Sequence, residues 1–167
     1  MKKIDGMYIS AQYQEPDTAY IVVPISKDQP PARDIEDITE EAEGLAHAIN
    51  LNVVSTRVVN YSKIHAGSFL GKGTREDIAK EIEELQPSIV IVNSSLSPVQ
   101  QRNLEKEWDV KVIDRTGLIL EIFGARAQTK EGRIQVELAA LDYQRSRLVR
   151  SWTHLERQRG GAGFMGG

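Results

Sequence analysis

The chain has 167 residues, 40% of them apolar and 27% charged, with a formal net charge of −3 and no cysteine. That apolar content supports one modest domain with an appendage, while the missing cysteine excludes a disulfide framework, a thiolate zinc site and a cysteine nucleophile. No apolar stretch follows Met1-Lys2-Lys3, and nowhere do roughly 18 apolar residues run together, so neither a secretory leader nor a membrane span is expected and a reducing cytoplasm fits.

The charge is unevenly spread. Residues 1–113 hold 12 basic against 18 acidic side chains, whereas residues 114–159 hold 9 basic against 6 acidic. The second part is therefore the candidate for an acidic partner.

Apolar and amphipathic runs alternate through the first 113 residues, the pattern of β-α-β units and of a parallel or mixed sheet. Residues 20–25 form a short β-branched run closed by Pro24, predicting the first strand. Ile35, Ile38, Ala42, Leu45, Ala46 and Ile49 recur at three- and four-residue steps, predicting a helix over about 33–50. A second strand follows over 52–59, an acidic helix over 74–85, and a strand over 88–93 apolar enough to be buried on both faces. Ser97 then supplies a helix cap with Pro98 at the first helical position, and the helix runs to Trp108. Residues 110–113 give a fourth strand.

Beyond it, Leu118, Ile119, Ile122, Phe123 and Ala127 carry a helical stripe capped by Asp114 or Thr116. After a polar break over 128–132, Ile134, Leu138, Leu141, Arg145, Leu148, Trp152 and Leu155 fall on alternating four- and three-residue steps, a heptad seam interrupted by one arginine. These two segments predict an antiparallel, coiled-coil-like hairpin. The division is then an α/β subdomain of about four strands over 1–113, a helical hairpin over 114–159, and a glycine-rich linker over 160–167.

Two motifs suggest phosphate chemistry and fall short of it. Gly67-Ser68-Phe69-Leu70-Gly71-Lys72-Gly73-Thr74 places glycines, a lysine and a hydroxyl before a helix. Its glycine spacing is one residue short of a phosphate-binding loop, and glycine rather than Ser or Thr follows the lysine. A turn and helix entry is the preferred reading, with an anion contact at the helix N-terminus open beside it. Asp114-Arg115-Thr116-Gly117 matches the Asp-x-x-Gly element of GTPases but reads more simply as a strand end followed by a capped helix. His47, His65 and His154 lack metal-ligand spacing, and no serine–histidine–carboxylate set appears.

The basic residues support two readings. Arg145, Arg147, Arg150, Arg157 and Arg159 gather beside Tyr143, Trp152 and His154, and Arg126, Lys130 and Arg133 crowd the polar break. Guanidinium groups match phosphate bidentately and stack on bases, which suits RNA. A solvated helix face accounts for the same residues equally well.

Several segments together resemble the N-terminal part of the HflX family of ribosome-associated GTPases. They are Phe69-Leu70-Gly71-Lys72-Gly73, Leu96-Ser97-Pro98-Val99-Gln100-Gln101-Arg102-Asn103-Leu104-Glu105, the stretch from Val110 through Asp114-Arg115-Thr116-Gly117 to Phe123, Arg126-Ala127-Gln128-Thr129-Lys130-Glu131-Gly132-Arg133, and Trp152-Thr153-His154-Leu155-Glu156-Arg157-Gln158. Residues 1–60 resemble the family only in pattern. The resemblance implies a parent that hydrolyses GTP with Mg2+ and splits stalled or stressed ribosomes, of which this chain is a non-catalytic fragment ending before the G domain. It also implies that the hairpin docks on ribosomal RNA of the large subunit near the peptidyl-transferase region. Carried over by position, the contacts would be Arg126, Gln128, Thr129, Lys130 and Arg133 at the tip, with Arg145, Arg147 and Arg150 on phosphates. Two other roles stay open: a nucleotide or small-molecule site at the loop from His65 to Thr74, and a regulatory surface packing on the protein's own G domain.

Overall fold

In a computed structural model, which describes residues 17–127 and 129–146, four parallel strands lie in the order β2-β1-β3-β4. The strands are β1 (Thr18–Ser26), β2 (Asn52–Tyr61), β3 (Ile89–Val92) and β4 (Lys111–Asp114). The helices are α1 (Ile35–His47), α2 (Lys72–Leu85), α3 (Pro98–Trp108), α4 (Arg115–Arg126) and α5 (Lys130–Ser146).

Alternation along the strands sorts the core into two halves. Ala19, Ile21, Val23 and Ile25 of β1 join Ile89, Ile91 and Ile113 on one face, where Ala42 and Ala46 of α1 and Leu118 and Ile122 of α4 cover them. Tyr20, Val22, Val90, Val92 and Val112 point the other way, under Ile78 and Ile82 of α2 and Leu104 and Trp108 of α3. A sheet covered on both faces explains why β3 is apolar at every position.

Pro24 does not end β1. Val22 is the last β1 residue paired with β3, opposite Val92, and Val22 O accepts from Asn93 N. The next position facing that side is Pro24, beyond the end of β3, so no ladder bond is lost by its missing N–H. On the opposite edge β1 stays paired with β2 through Ser26 and Tyr61.

The helix ends follow local chemistry. Ser97 caps α3 in a capping box: its hydroxyl accepts from Gln100 N at 3.1 Å, and Gln100 Oε1 accepts from Ser97 N at 2.8 Å. α2 and α3 stop on Gln86 and Asp109, both left-handed at φ 50° and 49°. α1 is shorter than the periodicity predicts, because Pro30 and Pro31 precede its start and Asn50 at φ 62° turns the chain into β2.

α4 is part of the α/β layer, with Leu118 and Ile122 in the core it shares with β1, β3 and β4. α5 meets α4 at Gly117 through Tyr143, which packs against that same core, and Ala140, three residues earlier on α5, is 3% exposed. The apolar seam expected between the two helices lies elsewhere. Ile134, Leu138 and Leu141 are 46%, 58% and 56% exposed, so the described part of the heptad faces solvent while a neighbouring stripe of α5 makes the contact. Leu148, Trp152, Leu155 and the glycine-rich run 160–167 lie outside the described residues.

Candidate nucleic-acid interface

The basic break between α4 and α5 is built by two helix ends. Arg126 closes α4, and Lys130 opens α5. Thr129 acts as the cap of α5: its hydroxyl accepts from Gly132 N at 2.9 Å and its carbonyl accepts from Arg133 N at 2.9 Å. The Thr129 side chain is thus engaged in the fold, and its part in any contact passes through the turn it holds. Arg133 folds back, with Nε 3.5 Å from Ala127 O. Glu121, Gly124, Ala125, Ala127, Arg133, Val136 and Glu137 line a cleft between the two helix ends.

Arg126, Lys130, Arg133 and Arg145 are all exposed, and none makes an ion pair among the described residues. Four arginines of the α/β unit are placed differently. There Arg33 and Arg115 both meet Glu41, at 3.2 and 3.5 Å, Arg57 meets Glu81 at 3.1 Å, and Arg75 pairs with Glu107. Charges that are neutralised within the fold have less to offer a polyanion than charges left open to solvent. Gln128, Arg147 and Arg150, with Arg157 and Arg159, lie outside the described residues.

The other two candidate elements resolve into structure. Asp114 caps α4, its Oδ1 accepting from Gly117 N at 2.9 Å, and at 1% exposure its carboxylate presents no face to a metal ion. The loop before α2 is sewn to α3, with Gln100 Nε2 donating to His65 O at 2.9 Å and Asn103 Nδ2 donating to Gly67 O at 2.8 Å. Phe69 and Leu70 are buried beneath it, Gly71 is the cap residue of α2, and Lys72 is the first helical residue. The loop is thus held as a helix entry and Asp114 as a helix cap. Among the described residues no cluster of His, Asp and Glu is arranged to hold a metal ion, and no helix is long and apolar enough to cross a membrane.

Two polar groups, the buried Tyr20 and the half-buried Glu105, lay beyond sequence reasoning. Tyr20, from the middle of β1, donates to Glu81 on α2; burial, reinforced by this bond, raises the phenol, and the same bond holds the Glu81 carboxyl below its usual range. Glu105 on α3 accepts from Val112 N at 3.1 Å, and burial pushes its carboxyl up to about 7. A Tyr within a β-branched strand and a Glu in the last turn of a helix are the only signals of either, and both are common without such partners.

Residues 36–124 match the family described as GTP-binding GTPase N-terminal, and residues 126–167 match the one described as GTP-binding GTPase Middle Region. The chain is 53% identical over 130 residues to the protein named GTPase HflX of Magnetococcus marinus, covering 78% of this chain and 30% of that relative. It is 44% identical over 134 residues to GTPase HflX of Escherichia coli, covering 80% of this chain and 31% of that relative. The chain therefore spans about a third of the length of these relatives. Among solved structures it resembles a GTP-binding protein of the hyperthermophilic archaeon Sulfolobus solfataricus in complex with GDP, at 25% identity and a TM-score of 0.59, over 89% of this chain and 43% of that one.

Proposed function

The chain belongs to the HflX family of GTP-binding GTPases, matching its N-terminal portion, and from that premise we propose that it is the large-ribosomal-subunit binding module of a longer ribosome-splitting GTPase. In this reading the segment from α4 through α5 and beyond serves as the RNA-directed hairpin. Arg126, Lys130, Arg133 and Arg145 contact ribosomal RNA near the peptidyl-transferase region, together with Gln128, Arg147 and Arg150. Thr129 shapes the turn that carries the first of these groups. GTP and Mg2+ belong to the G domain of the longer protein, which acts in the cytoplasm, and this portion contributes binding without catalysis.

One observation carries the reading: the exposed basic groups of α4's end and of α5 have no carboxylate partners among the described residues, whereas Arg33, Arg57, Arg75 and Arg115 of the α/β unit are paired. Guanidinium groups held on helices suit phosphates, whose oxygens accept two parallel N–H bonds from one arginine. The test is co-sedimentation of the 167-residue chain with purified large or small ribosomal subunits. Retention on large subunits that weakens steeply as salt is raised is expected. Equal retention on both subunits, or none on either, overturns the proposal.

The exposed seam of Ile134, Leu138 and Leu141 supports a second reading, in which α5 also packs on the protein's own G domain and regulates it. Comparing GTP hydrolysis by the full-length protein with and without residues 1–159 separates the two, since a purely RNA-directed module leaves the basal rate unchanged.

A further inference from the structure

Asp114 holds more partners than a helix cap requires. Its Oδ1 accepts from Gly117 N at 2.9 Å and from the Tyr143 hydroxyl at 2.8 Å, and its Oδ2 accepts from Leu96 N at 3.0 Å. With the carboxylate 1% exposed, these donors stand where water would otherwise be, so losing any one leaves a buried charge less well solvated. Three parts of the chain meet there: the first turn of α4, the far half of α5, and the loop between β3 and α3.

Gly117 is what lets Tyr143 in. A Cβ at that position would lie 2.8 Å from the Tyr143 hydroxyl oxygen, closer than Cβ atoms approach, and 3.2 Å from Cζ, tighter than most such contacts. The loop has a second tie to the start of α4, where Arg115 N donates to Ser94 O at 3.2 Å and Arg115 Nη1 donates to Asn93 Oδ1 at 3.0 Å. It sits at the carboxyl end of β3 beside β1, where the strand order reverses.

We propose that Asp114, Gly117 and Tyr143 form a latch coupling the seating of α5 to the conformation of residues 93–97. When a partner draws α5 away from the α/β unit, Tyr143 leaves Asp114. The carboxylate, short of one donor, shifts toward those that remain, and the hold on Leu96 N changes with it. Coupling of this kind is reciprocal: whatever fixes the 93–97 loop also favours the seated α5. The latch needs no assumption about what the partner is, so it stands apart from the ribosomal reading.

The experiment is amide hydrogen exchange by NMR on the 167-residue chain carrying Tyr143→Phe, which removes the hydroxyl and keeps the ring. The amides of Ala139, Ala140 and Leu141 are expected to exchange about tenfold faster, and that of Leu96 severalfold faster, while those of Val22 and Ile91 in the sheet keep their rates. Gly117→Ala, which must displace the ring, is expected to give the same pattern by a steric route. Faster exchange in α5 with an unchanged Leu96 amide overturns the coupling. So does no change in α5, or an equal loss of protection in the sheet, in either variant.

Discussion

Glu105→Gln is the perturbation whose size follows most directly from the structure. Glu105 lies largely out of water on α3, accepts from Val112 N at 3.1 Å, and has its carboxyl pushed up to about 7 from an ordinary 4.5, mainly by burial. Below about pH 4.5 the folded and unfolded chains both hold this proton, and the group is neutral for stability. Between 4.5 and about 7 the unfolded chain releases the proton while the folded chain keeps it, so stability falls as pH rises; above about 7 the loss is complete. The interval of about 2.5 pH units corresponds to a cost of about 3.5 kcal/mol at pH 8, at about 1.4 kcal/mol per pH unit. That is a large share of the ~5–15 kcal/mol that holds a domain of this kind together. Gln keeps an oxygen for Val112 N and has nothing to ionise. Urea denaturation of both chains from pH 4 to pH 8 should show them nearly equal at pH 4 and the variant more stable by about 3 kcal/mol at pH 8. A stability difference that does not change with pH would refute the burial argument.

Leu118→Ala should cost about 2–5 kcal/mol in the same assay, because Leu118 is fully buried under the sheet. Leu138→Ala should stay within about 0.5 kcal/mol, because Leu138 is mostly exposed; comparable losses would mean that α4 and α5 exchange roles in solution. Ser97→Ala should cost about 1 kcal/mol by removing one half of the α3 capping box, and a neutral result would show that Gln100 holds that turn alone.

Much of the α/β unit was legible because its elements carry local signals. The all-apolar run of β3 and the Ser97-Pro98 start of α3 each announce themselves within a few residues. What escaped was decided by distant partners. Pro24 reads as a strand stop, and only the shortness of the neighbouring β3 makes it harmless. The stripe of α4 reads equally well as a hairpin arm or as a sheet-covering helix, and the sheet claims it. On α5 the heptad spacing is real but does not say which helix it faces, and in the structure Tyr143, off the seam, makes the contact with Gly117 of α4 instead. The basic residues were legible as a set, whereas the lack of carboxylate partners for Arg126, Lys130, Arg133 and Arg145 among the described residues depends on where distant acidic groups lie, as with Glu41, Glu81 and Glu107, which pair with arginines of the α/β unit. A glycine in the first turn of a helix, as at Gly117, was the one sequence hint that another chain segment comes close there.

Large-subunit binding of the proposed kind requires that the basic groups flanking the turn between α4 and α5 meet phosphates. The most direct test is the salt dependence of large-subunit binding for the chain and for a variant with Arg126, Lys130 and Arg133 all changed to Gln. Three lost phosphate contacts should weaken binding and reduce the slope of log affinity against log salt by about 2–3. A variant with the affinity and slope of the unchanged chain would contradict the claim.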